Sequence, residues 1–532
     1  MSRVTVVGSG ASALHFAQSA LERGHEVTML DVGRTKPEPV RPDDGFRELK
    51  RGLDDPAAYF LGDDFSGMLW PGAPGEYYGF PPHKRVLFRG HERFVVEARG
   101  FEPLSSFARG GLAEAWTGGA FPFNDQELAD WPIGYRDLEP YYGRVAERIG
   151  IGGADDDLAR FLPVHAHLGA PLDLDEHSRR LLEGYARKRA AINGLGVWLG
   201  RSRTATLAAD TGDRRGCTYL GRCLWGCPRD ALYTPVLTLH ALLRHECFRY
   251  RSGVYVTHFE ADDGGRVRKV HCATEAGGRE AHDVEWLALG AGTLSTARIF
   301  LESLARVAGE APELGGLMDN RQILLPFVNL GMLARPYDPA TYQYHNLALG
   351  LEAQPAKEYV HGLITTLKTA LIHPIAQSVP FDLKSSIQVF RNVHAALGIL
   401  NVNLHDDRRG ANSVALERSG DAGRLVVHYA PSADEPARVA RALKTLKRAL
   451  RKLGCIAPPG MQHTRPMGAS VHYAGTLPMS TERRPLTASP DCVSHDFDNL
   501  LLVDGSTFPF LPAKNLTFTL MANAARVADR VL

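Results

Sequence analysis

The chain has 532 residues, enough for two or three structural units of ordinary size. Hydrophobic residues make up 44% and charged residues 23%, the balance of a globular enzyme, and a formal net charge of +1 excludes a global field that would steer nucleic acid or an anionic membrane. No run of about 20 apolar residues occurs, so no membrane span is expected. The first apolar stretch, Val4 to Val7, begins almost at Met1 and leaves no room for a signal peptide, so the expected compartment is the cytoplasm.

VTVVGSGASA opens the chain as a short β-type run followed by glycines. Leu14, Ala17, Ala20 and Leu21 then recur at helical spacing, and Gly24 is placed to stop the helix. EVTMLD is the second strand. A loop-rich region, roughly 34 to 110, follows, rich in Pro, Gly and Asp. The segment Trp131 to Ile149 is predicted helical in its second half, and 196–216 is polar and turn-rich. Residues 254–259 and 266–273 suit a hairpin. WLALGAG at 286–292 suits a buried strand entering a Gly turn, with a helix from Leu294 to Ser303. Between 321 and 430 the segments ILLPFVNLGML, HAALGILNVNL and RLVVHYA are β-rich. Val439, Leu443, Leu446, Leu450 and Leu453 then mark the buried stripe of an amphipathic helix over 434–453. Ser432 with Glu435 is a candidate capping box for it, Pro436 suits its first turn, and Gly454 its end.

Gly8-Ser9-Gly10-Ala11-Ser12-Ala13 lies between a strand and a helix, where a dinucleotide-binding turn belongs. Its first glycine permits the tight turn and its second admits a pyrophosphate close to the backbone. The small Ala13 lets helix and strand pack closely. Asp31 ends the second strand, where an acid can bind a ribose hydroxyl pair. This motif alone does not separate FAD from NAD.

The C-terminal run NLLLVDGSTFPFLPAKNLTFTL carries an apolar strand (Leu500 to Val503), Asp504-Gly505, and a helix beginning near Asn515. It resembles the closing segment of the glucose–methanol–choline (GMC) oxidoreductases. Three further segments resemble that family in its own order: GGLAEAWTGG at 110–119, LALGAGTLSTARIFLES at 287–303 and HYAGTLPMS at 472–480. The closest likeness is to bacterial pyranose oxidase-like and sugar dehydrogenase-like members. The resemblance is poor over 35–100 and 320–430.

The resemblance implies an α/β fold with α+β character. A Rossmann-like FAD-binding domain would be assembled from 1–160, 205–325 and 462–532, and a discontinuous β-sheet substrate-binding domain from 161–204 and 326–461. It assigns FAD contacts to Gly8, Ser9, Gly10, Ala11, Ser12, Ala13, Asp31, Gly110, Gly111, Trp116, Thr117, Val256, Ala291, Gly292, Asp504, Gly505 and Thr517. It also places His472 and Asn515 together before the flavin. The residue types suit oxidation of a carbinol. An imidazole can take the hydroxyl proton near neutrality, and a carboxamide can hydrogen-bond the developing alkoxide without competing for that proton. His463 lies in no motif and is read as structural.

Two departures from the family pattern stand out. Leu477-Pro478-Met479-Ser480 replaces the usual continuation of the His-x-x-Gly-Thr segment, so substrate contacts should differ there. Ala115 stands where some sugar-oxidising members carry a flavin-linking histidine, so FAD should be non-covalent.

Seven cysteines do not form a disulfide framework. Cys247, Cys272, Cys455 and Cys492 are scattered and read as packed thiols. Cys217, Cys223 and Cys227 fall close together ahead of Pro228. Some membrane-linked relatives hold a three-iron cluster on such a run, whereas related oxidases keep similar loops as packed thiols. Three ligands do not close a tetrahedral site, so the metal-free reading is preferred.

The expected activity is oxidation of a CH–OH group of a sugar, glycoside or other small polyol-like molecule. Oxygen, a quinone or a redox protein would accept the electrons. The alternatives are an iron–sulfur flavin dehydrogenase serving a protein partner, and a non-redox lyase or isomerase on the same fold.

Overall fold

The computed structural model describes residues 1–35, 43–68, 76, 78–369, 381–419 and 422–532. Its centre is a five-stranded parallel sheet drawn from the whole chain. The order is Leu500–Leu502, Trp286–Leu289, Arg3–Val7, Glu26–Leu30, Phe248–Arg251. Parallel neighbours require crossover connections, so both faces are covered and the strands read as near-continuous apolar runs. Val6, Ala288 and Leu501 point into one core with the helices Ala11–Glu22, Tyr135–Ile149 and Thr517–Val531. Val7, Leu289 and Leu502 point into the other. There they meet the helix Thr293–Ala308 and an antiparallel sheet of Val254–Ala261, Val267–Thr274 and Arg279–Asp283.

A second large sheet runs in the order Cys455–Ile456, Arg321–Asn329, Leu397–Leu404, Val360–Thr366, His345–Leu351, Val197–Arg201. One face packs on the helices Glu176–Asn193 and Glu435–Lys452 through Leu181, Leu443, Leu446 and Leu450. Its other face carries Asn403, His361 and Leu363, because side chains alternate along each strand.

Several expectations need correction. The region 34 to 110 contains two short helices, Phe46–Gly52 and Pro56–Leu61, and a strand, Val95–Arg99. Residues 197–201, read as part of a turn-rich stretch, form an edge strand paired with Leu347–Leu351. The strands Ser413–Ser419 and Ala422–His428 do not join the large sheet. They pair with Val95–Arg99 and Leu314–Gly315 in a separate sheet that packs into the core of the helix Thr293–Ala308. The capping box at Ser432 does not form. The Ser432 hydroxyl accepts from Arg438, and Glu435 reaches out of the helix to accept from Arg321 Nε at 2.8 Å. A partly buried arginine across the sheet wins the carboxylate that the local pattern assigned to the backbone.

Candidate active site

One cavity between the central sheet and the helices is lined by Gly8, Ser9, Gly10, Ala11, Ser12, Asp31, Gly111, Val256, Ala291, Gly292, Asp504, Gly505 and Thr517. The sequence places these residues on segments hundreds of positions apart, and the parallel sheet brings them to one edge. Three helices begin at this cavity, at Gly10, Gly292 and Leu516, and none has a side-chain cap. Uncapped N-terminal amides and the positive ends of the helix dipoles suit a phosphate-bearing ligand.

Close approach explains the glycines here. Gly8 has φ +94°, and a Cβ on it would lie 2.8 Å from the Gly290 oxygen. A Cβ on Gly290 would lie 2.8 Å from Ala13 Cβ. Ala13 is thus fully buried beneath the cavity as the packing residue of the turn.

The Asp31 carboxylate accepts from the Ser9 hydroxyl and from Tyr250 OH (2.8 Å), both on Oδ2. Burial pushes its pKa up to about 6 against those hydrogen bonds. Gly110 does not line the cavity; its amide donates to Ser9 Oγ at 3.0 Å, tying the Gly-Gly loop to the first turn. Trp116 Nε1 donates to the Tyr233 carbonyl at 2.7 Å, and Thr117 Oγ1 lies 3.3 Å from His345 Nε2. Asp504 joins the C-terminal turn to the central one. Its Oδ2 accepts from the Gly292 amide (3.0 Å) and Thr296 Oγ1 (2.6 Å), and its Oδ1 from the Ser506 amide (3.0 Å).

His472 and Asn515 meet at the start of the final helix, with Asn515 Nδ2 3.4 Å from His472 Nε2. The other ring nitrogen, Nδ1, lies 2.9 Å from Asn320 Oδ1. The His472 amide donates to Asp319 Oδ1 at 3.2 Å and Ser470 Oγ at 3.1 Å. Burial holds the imidazole well below its ordinary value, at about 4. Burial also pushes Asp319 up to about 7. Beside Asn515, Lys514 is fully buried. It donates to Glu127 and to the carbonyls of Pro122 and Phe161, both at 2.7 Å.

Sequence reasoning missed Asn320, His345 and His361, which lie where the family resemblance fades and in no motif. His345 Nδ1 is 2.7 Å from Ser202 Oγ. His361 stands edge-on to Phe121, with ring centres 4.6 Å apart. Burial lowers its pKa, and Lys514, His345 and His472 are near enough to lower it further. The His361 Nε2, both amide atoms of its cross-strand neighbour Asn403, and Asn515 Oδ1 are buried with no partner among the described residues. His463 is exposed and pairs with Glu76 at 2.8 Å.

Cys217, Cys223 and Cys227 share one loop packed against Leu232, Tyr342 and Tyr344. Burial raises Cys217 to about 11 and Cys223 further, the behaviour of packed neutral thiols when no metal is bound. Among the described residues no group of three or more His, Cys, Asp or Glu side chains is arranged to hold a metal ion. No helix among them is long and apolar enough to cross a membrane.

Residues 408–524, which hold His472, Asp504 and Asn515, match the family model described as GMC oxidoreductase, C-terminal. The C-terminal part of this chain belongs to the GMC oxidoreductase family. Similar proteins include paromamine 6'-oxidase of Streptomyces fradiae, 24% identical, with 99% of this chain and 91% of that protein covered. The 6'''-hydroxyparomomycin C oxidase of Streptomyces lividus is 23% identical over the same shares. Among solved structures, pyridoxine 4-oxidase from Mesorbium loti superposes with a TM-score of 0.61 at 16% identity, covering 100% of this chain and 99% of that one. A variant of Aspergillus oryzae formate oxidase gives 0.62 at 12%, covering 99% and 98%. The protein uses FAD, and the uncapped helix starts and close glycine turns of the cavity fit that cofactor.

Proposed function

We propose that this GMC oxidoreductase oxidises a CH–OH group of a small molecule rich in hydroxyl or amino groups, with His472 as the base. The observation that carries the reading is the meeting of His472 Nε2 and Asn515 Nδ2 beside the cofactor cavity, at the start of a helix whose first residues line it. FAD, when bound, supplies a two-electron acceptor for the hydride of the carbinol carbon.

The protein's own groups then have three tasks. His472 takes the hydroxyl proton at Nε2, and burial keeps the ring neutral, and so able to act as a base, at neutral pH. Asn515 Nδ2 donates to the oxygen as negative charge develops there. His361, Asn403 and Asn515 Oδ1 offer buried donors and acceptors that gain from a polar ligand, since an unsatisfied buried group costs about 1–3 kcal/mol. Curated relatives named as oxidases of paromamine and hydroxyparomomycin support an amine-bearing sugar as substrate and oxygen as electron acceptor. The cavity edge would hold the pyrophosphate at Gly8–Ser12 and the adenosine ribose at Asp31. Ala115 leaves FAD without a covalent link.

The test is anaerobic mixing of the purified yellow protein with paromamine, pyridoxine and simple alcohols. Bleaching of the flavin band by an amino-sugar alcohol, restored by air with formation of hydrogen peroxide, is the expected result. A substrate converted with the flavin left oxidised throughout would favour a lyase or isomerase instead.

A further inference from the structure

We infer that Asn320 is the positioning residue that fixes His472 in the tautomer bearing its proton on Nδ1, so that Nε2 presents a lone pair beside Asn515. The inference rests on the reading of His472 as the base and names what sets that base up.

Asn320 is only 1% exposed, and its amide group is fully committed. Nδ2 donates to the Leu404 carbonyl and to the Pro512 carbonyl, each at 2.9 Å. These two bonds use both of its hydrogens. Turning the amide end for end would set its oxygen against two carbonyl oxygens, so the surrounding network fixes the orientation. Oδ1 is then the atom that faces the imidazole, 2.9 Å from Nδ1. A carboxamide oxygen only accepts, so the hydrogen of that bond sits on Nδ1. A neutral imidazole has one N–H, which leaves Nε2 bare.

The same side chain joins three parts of the fold. Leu404 ends a strand of the large sheet, Pro512 leads into the segment that carries Asn515, and His472 comes from a third segment. The preceding residue, Asp319, holds the His472 backbone amide, so the Asp319-Asn320 pair grips the histidine at both its backbone and its ring. The titratable groups nearest this arrangement are Asp319 at the backbone and His361, close enough to His472 to be lowered by its charge; Lys514 in turn lies near His361. An asparagine, unlike a carboxylate, orients the ring without stabilising the imidazolium, which is the state that cannot act as base.

Two measurements test this. The first is the ¹⁵N spectrum of histidine-labelled holoenzyme, with the His472 signals identified by their loss in His472→Gln. The expected result is a protonated Nδ1 and an unprotonated Nε2 at neutral pH. The opposite tautomer would overturn the inference and also remove Nε2 as the proton acceptor, whereas whether His472 is needed at all is read separately from the rate of His472→Gln. The second is anaerobic flavin reduction across pH in Asn320→Ala and Asn320→Asp, each checked for wild-type FAD content. Loss of the orienting bond in Asn320→Ala should slow reduction roughly 10- to 100-fold, the range for groups that orient a functional imidazole. Asn320→Asp keeps an acceptor at Nδ1 but sets its second oxygen against the Leu404 and Pro512 carbonyls, so the decisive readout is the low-pH limb, which a carboxylate at Nδ1 should move upward. Equal losses in both variants with an unmoved limb would show a purely structural asparagine. If neither variant folds, the ¹⁵N spectrum of the wild-type holoenzyme still distinguishes the two tautomers. A wild-type rate in His472→Gln would instead refute the underlying reading of the base.

Discussion

A buried polar atom without a partner is costly, and at this site several lie together. Asn403 is 1% exposed, and neither end of its amide is bonded among the described residues. If its role is to meet substrate, Asn403→Leu should leave stability unchanged or improved, because both unmet groups disappear. The same change should lower kcat/KM for a polyhydroxylated substrate by roughly tenfold, about 1.4 kcal/mol of lost transition-state binding. Thermal melts and steady-state kinetics on one preparation check both halves; a large loss of stability with kcat/KM intact would assign Asn403 to the fold. His472 and Asn515 were legible in the sequence because they sit in segments whose order resembles the family. Asn320, His345 and His361 were not, because their roles come from long-range contacts between a sheet and two distant segments, and no local pattern records such contacts.

The strand–turn–helix at the N-terminus was readable because its signal is local: an apolar run, a glycine turn, then a helical stripe. Its partner turn at Gly290 enforces the same geometry from the other side. Gly290→Ala would place a Cβ 2.8 Å from Ala13 Cβ and 3.1 Å from Val503 Cγ2. Overpacking of this kind costs about 1–3 kcal/mol, and it should loosen FAD as the turn shifts. Denaturant unfolding together with flavin content per chain measures both, and an unchanged midpoint with full flavin would contradict it. The strands His345–Leu351 and Val360–Thr366 escaped notice because every residue of one, and nearly every residue of the other, is buried. Burial on both faces removes the polar alternation that marks a strand. Val197–Arg201 hid beside polar turns for a related reason: as an edge strand its sequence neighbours are loops.

At the scale of the molecule, the two ends of the chain build one unit. Leu500–Leu502 completes the central sheet beside Trp286–Leu289, and the last helix packs on the first. The sequence disclosed this closure through Asp504-Gly505, whose carboxylate joins Gly292 and Thr296 across the sheet. It did not disclose that Arg424–His428 pairs with Val95–Arg99, because sheet pairing between such remote segments leaves no trace in either one. With Ala115 at the end of the Gly-Gly loop turn, acid precipitation should release all the yellow colour into the supernatant. Flavin retained on the washed pellet would show a covalent link formed elsewhere.

We propose that His472 removes the hydroxyl proton as the alcohol is oxidised. Its buried imidazole is held at about 4 by desolvation, below the ordinary 6.5. The neutral ring is the active form, so activity is lost as pH falls through the folded value. Anaerobic stopped-flow reduction of the flavin, measured from pH 8 downward with wild type and His472→Ala, is the direct test. The wild-type rate should be flat near neutrality and fall toward pH 4, and the His472→Ala rate should be roughly 10²- to 10⁴-fold lower without that limb. A His472→Ala enzyme that reduces at near wild-type rate, with the same limb, would contradict it.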